Sequence, residues 1–306
     1  MAMGKPVPSN GARVLYGTAY IVLAAVAIPL YSAVIFIFAK KSNFRKQSCY
    51  WIMISMGLFD LLFLVGCIPL GSRVLLNDPF PKWAEKITMN LPNAVFNGTI
   101  IMIWALALNR LFVIVSSQLF QVPSATYGII ILFSWLYVIS LFFISVFEDG
   151  MEYKSLYLIA VGFRQFWAPW ASKLAYANDY IGFILFGAVL VMYTVVVVYL
   201  IVRRFLLKSV HHNYTKELTI LSQGIFIFLG GTLITLNATF GDVVFPSVYW
   251  YTGSYEIFLI AYTGFFNPLI YLTMNSELRR EFRRLILGDK MEIVAIAGAH
   301  RRVSPL

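Results

Sequence analysis

The sequence predicts an all-α, membrane-embedded fold: a bundle of seven transmembrane helices with a short amphipathic eighth helix on the cytoplasmic side. Three observations predict it. Of 306 residues, 60% are hydrophobic and only 12% are charged, about half the charged share of an ordinary soluble domain. The apolar residues fall into seven runs, each long enough to cross the ~30 Å hydrocarbon core as a helix. Lysine and arginine gather in alternate connecting segments, which is how a chain threading a bilayer distributes them. Hydrocarbon offers backbone groups no partners, so only helices or closed barrels span it, and none of the runs shows the short polar/apolar alternation of a barrel strand.

The seven runs cover about 16–39, 49–70, 91–115, 125–147, 180–202, 218–240 and 256–274. No soluble domain, low-complexity segment or long linker interrupts them. The expected organisation is an extracellular tail over 1–15, the bundle over 16–274, a membrane-surface helix over 275–288 and a flexible cytoplasmic tail over 289–306. The polar stretch from Met1 to Arg13 and the length of the first run argue against a cleavable signal peptide; the first span is expected to act as its own insertion signal.

Orientation follows from the basic residues. The groups Lys40/Lys41/Arg45/Lys46, Arg110, Arg203/Arg204/Lys208/Lys216 and the seven from Arg279 to Arg302 fall on one side, against half as many on the other, where acids such as Glu85, Asp179 and Glu256 neutralise them. The N-terminus is expected outside and the C-terminus inside. The net charge of +10 then belongs to the cytoplasmic face. Attraction to anionic lipid accounts for it, and no nucleic-acid partner is implied. Cys49 and Cys67 both fall in the second run, about 27 Å apart along a helix, so no internal disulfide is expected.

Three features inside the runs call for a reason. Asp60 is read as the one acid deep within a span, where burial is costly and the side chain faces the bundle interior; it is a candidate polar or cation site, or a protonated group bonded to neighbouring helices. The third span ends in Leu106-Ala107-Leu108-Asn109-Arg110-Leu111-Phe112, which puts one arginine at its inner end; an interfacial arginine snorkelling to water has the same pattern. The seventh carries Asn267-Pro268-Leu269-Ile270-Tyr271. Pro268 lacks an N–H and crowds the carbonyl of Gly264, so the helix must bend, and a bend bearing Asn267 and Tyr271 can take two arrangements. Directly after it, Leu278, Phe282, Leu285 and Ile286 recur on one helical face and four arginines on the other, with Asn275 or Ser276 as cap and Gly288 as stop.

In this order the features resemble the rhodopsin-like G-protein-coupled receptors along the whole chain. Asp60 matches the acid of the family's second helix, Asn109-Arg110-Leu111 its Asp-Arg-Tyr motif, Trp135 its fourth-helix tryptophan, and Asn267 to Tyr271 its Asn-Pro-x-x-Tyr motif. The runs Met56-Gly57-Leu58-Phe59-Asp60-Leu61-Leu62 and Leu106 to Arg110, with Glu217 and Gln223 opening the sixth span, look most like the nematode serpentine chemoreceptors, of the Srt class or, as runner-up, the Srx class. The departures are the missing cysteine pair of the outer side, Ser32 in place of the first-span asparagine, and the absence of Cys-Trp-x-Pro from the sixth span. The fifth span lacks proline, with Tyr199 as the match to its tyrosine.

The resemblance implies a chemosensory receptor in the plasma membrane, of a sensory-cell cilium for instance, that detects an environmental small molecule outside and activates a heterotrimeric G protein inside. A neuropeptide or other internal ligand is the alternative, and a seven-helix transporter or channel a more distant one; self-association stays open. Arg110 would be the hub, paired at rest with Glu217 and meeting Tyr199 and Tyr271 when active. Because Asn109 cannot neutralise Arg110 as an aspartate would, Glu217→Gln is expected to raise basal signalling. By depth, Asn93, Phe96, Asn97, Asn237 and Tyr262 are candidate ligand-lining residues, under a roof of Phe163, Phe166, Trp167 and Trp170. Pro92 and Asn93 stand where amine receptors place an acid, which argues against an amine ligand. Ala261 stands where opsins carry the retinal lysine, which argues against light sensing. The spans hold no Cys/His pair, metal-ligand cluster or paired acids, so neither an enzyme nor a metal or other cofactor is expected.

Overall fold

The structure is a computed structural model, and it describes residues 8–77, 80–115, 123–147, 151–153, 164–166, 169–207, 214–244 and 249–288. The seven spans are helices over Asn10–Lys40, Ser48–Leu76, Lys82–Val115, Ser124–Phe147, Pro169–Leu207, Tyr214–Val244 and, in three consecutive pieces, Tyr249–Ala261, Tyr262–Phe266 and Asn267–Met274. Most overrun the apolar runs that predict them. A helix satisfies its own backbone beyond the hydrocarbon as well as within it, so hydropathy marks the lipid-crossing part and not the helix ends. Thus the first helix begins at Asn10, capped by the Ser9 side chain, which accepts from the Ala12 N–H, inside the segment expected to be tail. The fifth begins at Pro169 and takes in Trp170, which the sequence places in the loop.

A two-stranded antiparallel hairpin, Met151–Tyr153 with Arg164–Phe166, lies between the fourth and fifth spans and pairs Met151 with Phe166. It adds strands to a chain expected to be wholly helical. Three-residue strands carry no hydropathy signal above the surrounding loop.

Burial separates the helices by role. About two thirds of the apolar stretch of the second span is buried (67%) and nearly as much of the third (61%), but only 22% of the fourth. The second and third spans are therefore the axis of the bundle, and the fourth presents Ile129, Leu132, Phe133, Leu136 and Phe143 outward, as a lipid-facing helix would. The first and second helices touch at Gly17 and Gly71: a Cβ on either would lie 2.8 Å from the other's carbonyl oxygen. Small residues at a crossing let two membrane helices approach by backbone contact.

After the seventh span the chain turns at Asn275, whose Oδ1 accepts from the Leu278 N–H at 3.0 Å, and runs as a helix over Ser276–Leu287. Asn275, not Ser276, is the cap. Leu278 is fully buried against the bundle, while Leu285, Ile286 and Leu287 stay exposed. Gly288, with φ of 71°, ends the helix in a conformation that glycine adopts without a Cβ clash.

Candidate functional site

Four spans converge on Asp60, which is 2% exposed. The Tyr31 hydroxyl donates to its Oδ2 at 2.6 Å, the Asn267 side-chain amide to the same oxygen at 2.9 Å, and the Thr99 hydroxyl to Oδ1 at 3.1 Å. Tyr31 lies on the first span, Thr99 on the third and Asn267 on the seventh. A buried carboxyl persists when its lone pairs are met by donors, and three are met here. The first-span donor is Tyr31; Ser32, one residue on, is half-buried beside it.

The bend expected before Pro268 takes the form of a π-turn over Tyr262–Phe266. Widening the helix there relieves the clash between the proline ring and the carbonyl four residues back, at Gly264. Two glycines accommodate the widened turn. A Cβ on Gly264 would lie 2.6 Å from Cβ of Ala27 on the first span, and one on Gly230 of the sixth would lie 2.2 Å from the Tyr262 ring. Tyr262 stacks beside Phe266 at 4.9 Å and donates to the Ile227 carbonyl at 2.9 Å, so this candidate ligand residue bridges the sixth and seventh spans.

At the end of the bundle that holds Arg110 the balance is different. Arg110 is 5% exposed, and its Nε and Nη2 have no hydrogen-bond partner among the described residues. No ion pair to it occurs among the described residues. Its electrostatic neighbours are the tyrosines Tyr50, Tyr127 and Tyr193, from the second, fourth and fifth spans. Asn109 lies beside Tyr127. The hydroxyls of Tyr193 and Tyr271 are also buried without partners among the described residues, and a Cβ on Gly224 of the sixth span would lie 2.2 Å from the Tyr193 hydroxyl. Tyr193 is thus the fifth-span tyrosine beside Arg110, while Tyr199, two turns on, packs half-buried on the apolar core. Glu217 lies on the sixth helix with its side chain outside the described residues.

Towards the opposite end, Asn97 is bound up in structure: it donates to the Asn93 carbonyl at 2.9 Å and accepts from Asn178 at 2.9 Å, which in turn accepts from Tyr137. This chain links the third, fourth and fifth spans. Asn237 accepts from Tyr251 at 2.7 Å. Of the candidate lining residues, Asn93 and Phe96 remain half-buried. Phe166 is placed by its strand alone, and Phe163 and Trp167 lie outside the described residues. The sequence reading missed Glu256. Counted with the solvent-side acids, it is 4% exposed, near Tyr20, Tyr255 and Cys67, so Asp60 is not the sole acid within the bundle. The seventh helix starts at Tyr249, which sets Glu256 two turns inside it; hydropathy alone gives no sign of that start. Cys49 and Cys67 are both free and buried.

No family model matches the chain, and no curated protein matches it. Among solved structures, squid rhodopsin superposes with a TM-score of 0.71 over 92% of this chain and 86% of that one, at 16% sequence identity. At that identity the likeness speaks for architecture: this chain has the seven-helix membrane fold of rhodopsin.

Proposed function

We propose that the chain is a G-protein-coupled chemosensory receptor, which binds a small environmental molecule from outside and activates a heterotrimeric G protein within. The observation that carries this reading is Arg110: a buried guanidinium with two nitrogens unsatisfied among the described residues, set among tyrosine hydroxyls at the foot of the bundle. A buried charge left short of partners is costly and takes new ones readily when a neighbouring helix moves or a partner enters. The bent seventh span supplies the movable part. Its π-turn is tied to Asp60 through Asn267 and carries Tyr271 towards the same end as Arg110.

In this account an outside ligand favours one packing of the bundle over another, and it can do so only through different affinities for the two. The inner ends of the third, fifth, sixth and seventh spans then part and Arg110 exchanges partners, with Tyr193 and Tyr271 the nearest hydroxyls and Glu217 the restraining acid. A plasma-membrane location with the C-terminus inside follows from the same reading and from the distribution of lysine and arginine.

The test is nucleotide exchange on G proteins in membranes from cells expressing the chain at matched surface level, exposed to volatile and soluble chemicals. Arg110→Ala is expected to abolish a ligand-driven exchange and Glu217→Gln to raise the basal rate. Exchange that ignores Arg110→Ala sinks the proposal; an unchanged basal rate in Glu217→Gln removes the lock from it.

A further inference from the structure

A second buried cation lies at the other end of the bundle. Arg73, on the last turn of the second span, is 4% exposed. Its Nη2 donates to Glu85 Oε1 at 2.7 Å, across to the first turn of the third span. Its Nε and Nη1 are buried and lack a hydrogen-bond partner among the described residues. A buried charged donor left without an acceptor is costly, so two acceptors are wanted at this position. The pair is unequal: the guanidinium is enclosed, whereas the Glu85 side chain is 24% exposed. Lys82, three residues before Glu85 and exposed, offers that carboxylate a second partner on its own helix.

The chemistry of the missing acceptor can be read from what is already present. Glu85 shows that this guanidinium takes a carboxylate oxygen, and planar guanidinium donors bind oxyanions more strongly than neutral carbonyls. Residues 73–86 carry three basic and two acidic side chains, so a further negative charge is balanced there. The second helix ends at Leu76, before a left-handed cap at Asn77, and the third begins at Lys82, so Arg73 lies one turn from this end of the bundle.

We infer that Arg73 is a binding residue for the carboxylate of a small organic acid entering between the second and third spans, where it competes with the Glu85 carboxylate for the guanidinium. This names the ligand class of the receptor proposed above, and it rests on that reading for the outward orientation of this end.

The experiment uses the purified full chain in lipid nanodiscs, without G protein. Its thermal denaturation midpoint is followed against butanoate, hexanoate, benzoate and phenylacetate, each paired with its methyl ester. At least one acid is expected to raise the midpoint saturably while its ester does not. Arg73→Gln should weaken that acid by about tenfold or more, as loss of a charged hydrogen bond does, and Arg73→Lys should keep part of the effect. Glu85→Gln, which removes the competing carboxylate, should bind the acid more tightly, and it keeps the inference testable if Arg73→Gln fails to fold. No shift with any acid, an ester equal to its acid, Arg73→Gln responding as the parent does, or Glu85→Gln binding no more tightly would each overturn it. Because binding is read without nucleotide exchange, failure here with exchange intact removes the ligand class and leaves the receptor standing.

Discussion

Asp60 and Arg110 are both buried ionisable groups within the same bundle, and they are treated oppositely. Asp60 receives three hydrogen bonds from three other helices, while two nitrogens of Arg110 donate to no acceptor among the described residues. The difference marks which part of the molecule is fixed and which is free to change partners. At mid-depth the first, second, third and seventh spans are bound to one carboxyl group, so they move together or not at all. At the foot, the guanidinium and the hydroxyls of Tyr193 and Tyr271 lie buried and under-bonded, so a small displacement of the fifth, sixth or seventh span could gain hydrogen bonds as well as lose packing.

The severest way to break the contrast is Asp60→Ala. It strands Tyr31 and Asn267 as buried donors, while Thr99 keeps the Val95 carbonyl at 3.4 Å, and by the cost of such orphans the loss should be about 2–6 kcal/mol. The midpoint of denaturation of the purified protein measures it. A variant as stable as the parent would show that the junction does not tie the helices together. Next in size is Gly264→Ala, where the new Cβ would sit 2.6 Å from Ala27. Forcing a methyl into such a contact costs about 1–3 kcal/mol, and here it pushes the π-turn away from the first span. The same measurement applies, and a neutral result would mean that the turn yields easily.

A sharper test sets two tyrosines side by side. Tyr31→Phe removes a hydroxyl bonded to a carboxyl group at 2.6 Å and should cost about 1.5–3 kcal/mol, the value of a hydrogen bond to a charged partner. Tyr193→Phe removes a buried hydroxyl that has no partner among the described residues and should leave stability unchanged or raised. If both lose equally, the foot of the bundle is as fully bonded as its middle, and the reasoning from Arg110 fails.

The fold was legible to the extent that lipid imposes it. Seven apolar runs, the Asn-Pro bend and the amphipathic helix follow from hydropathy, proline chemistry and period, and each is found. Partners at a junction are another matter. Tyr31 and Tyr193 are tyrosines in helices rich in them, and which one faces Asp60 or Arg110 depends on helix rotation, which a run hydrophobic on all sides does not encode. Likewise Asn97, Asn237 and Tyr262 have the right depth for lining a ligand site, yet all three hold neighbouring helices together. Depth can be counted along a sequence; facing cannot. Glu256 and Arg73 illustrate the converse, because charges near span ends read as solvent residues until the true ends of the helices enclose them.

The smallest effect lies where the comparison is weakest, at the seam between the helix over Ser276–Leu287 and the turn that follows the first span. Glu281 is buried yet ion-paired, with Lys41 at 2.5 Å and Arg284 at 3.1 Å, and Asn43 donates to Glu277 at 3.1 Å. The hydrogen bond from Lys41, above all, holds the Glu281 carboxyl below the usual range for glutamate. A carboxyl group lowered in the folded state contributes stability that is fully present above its unfolded value, about 4.3, and lost as pH falls through the lower folded value. Docking of this helix should therefore be flat from neutral pH down to about 5 and loosen only below about 4. Because Lys41 is 43% exposed, solvent screens the pair and its contribution should be a few tenths of a kcal/mol. Hydrogen exchange over 276–287 would report it, with Lys41→Met flattening the acid response. A response centred near pH 6, or one indifferent to Lys41→Met, would place the controlling group elsewhere. It would also count against the reading that exposure, more than the number of partners, limits what an ion pair contributes at this end of the bundle.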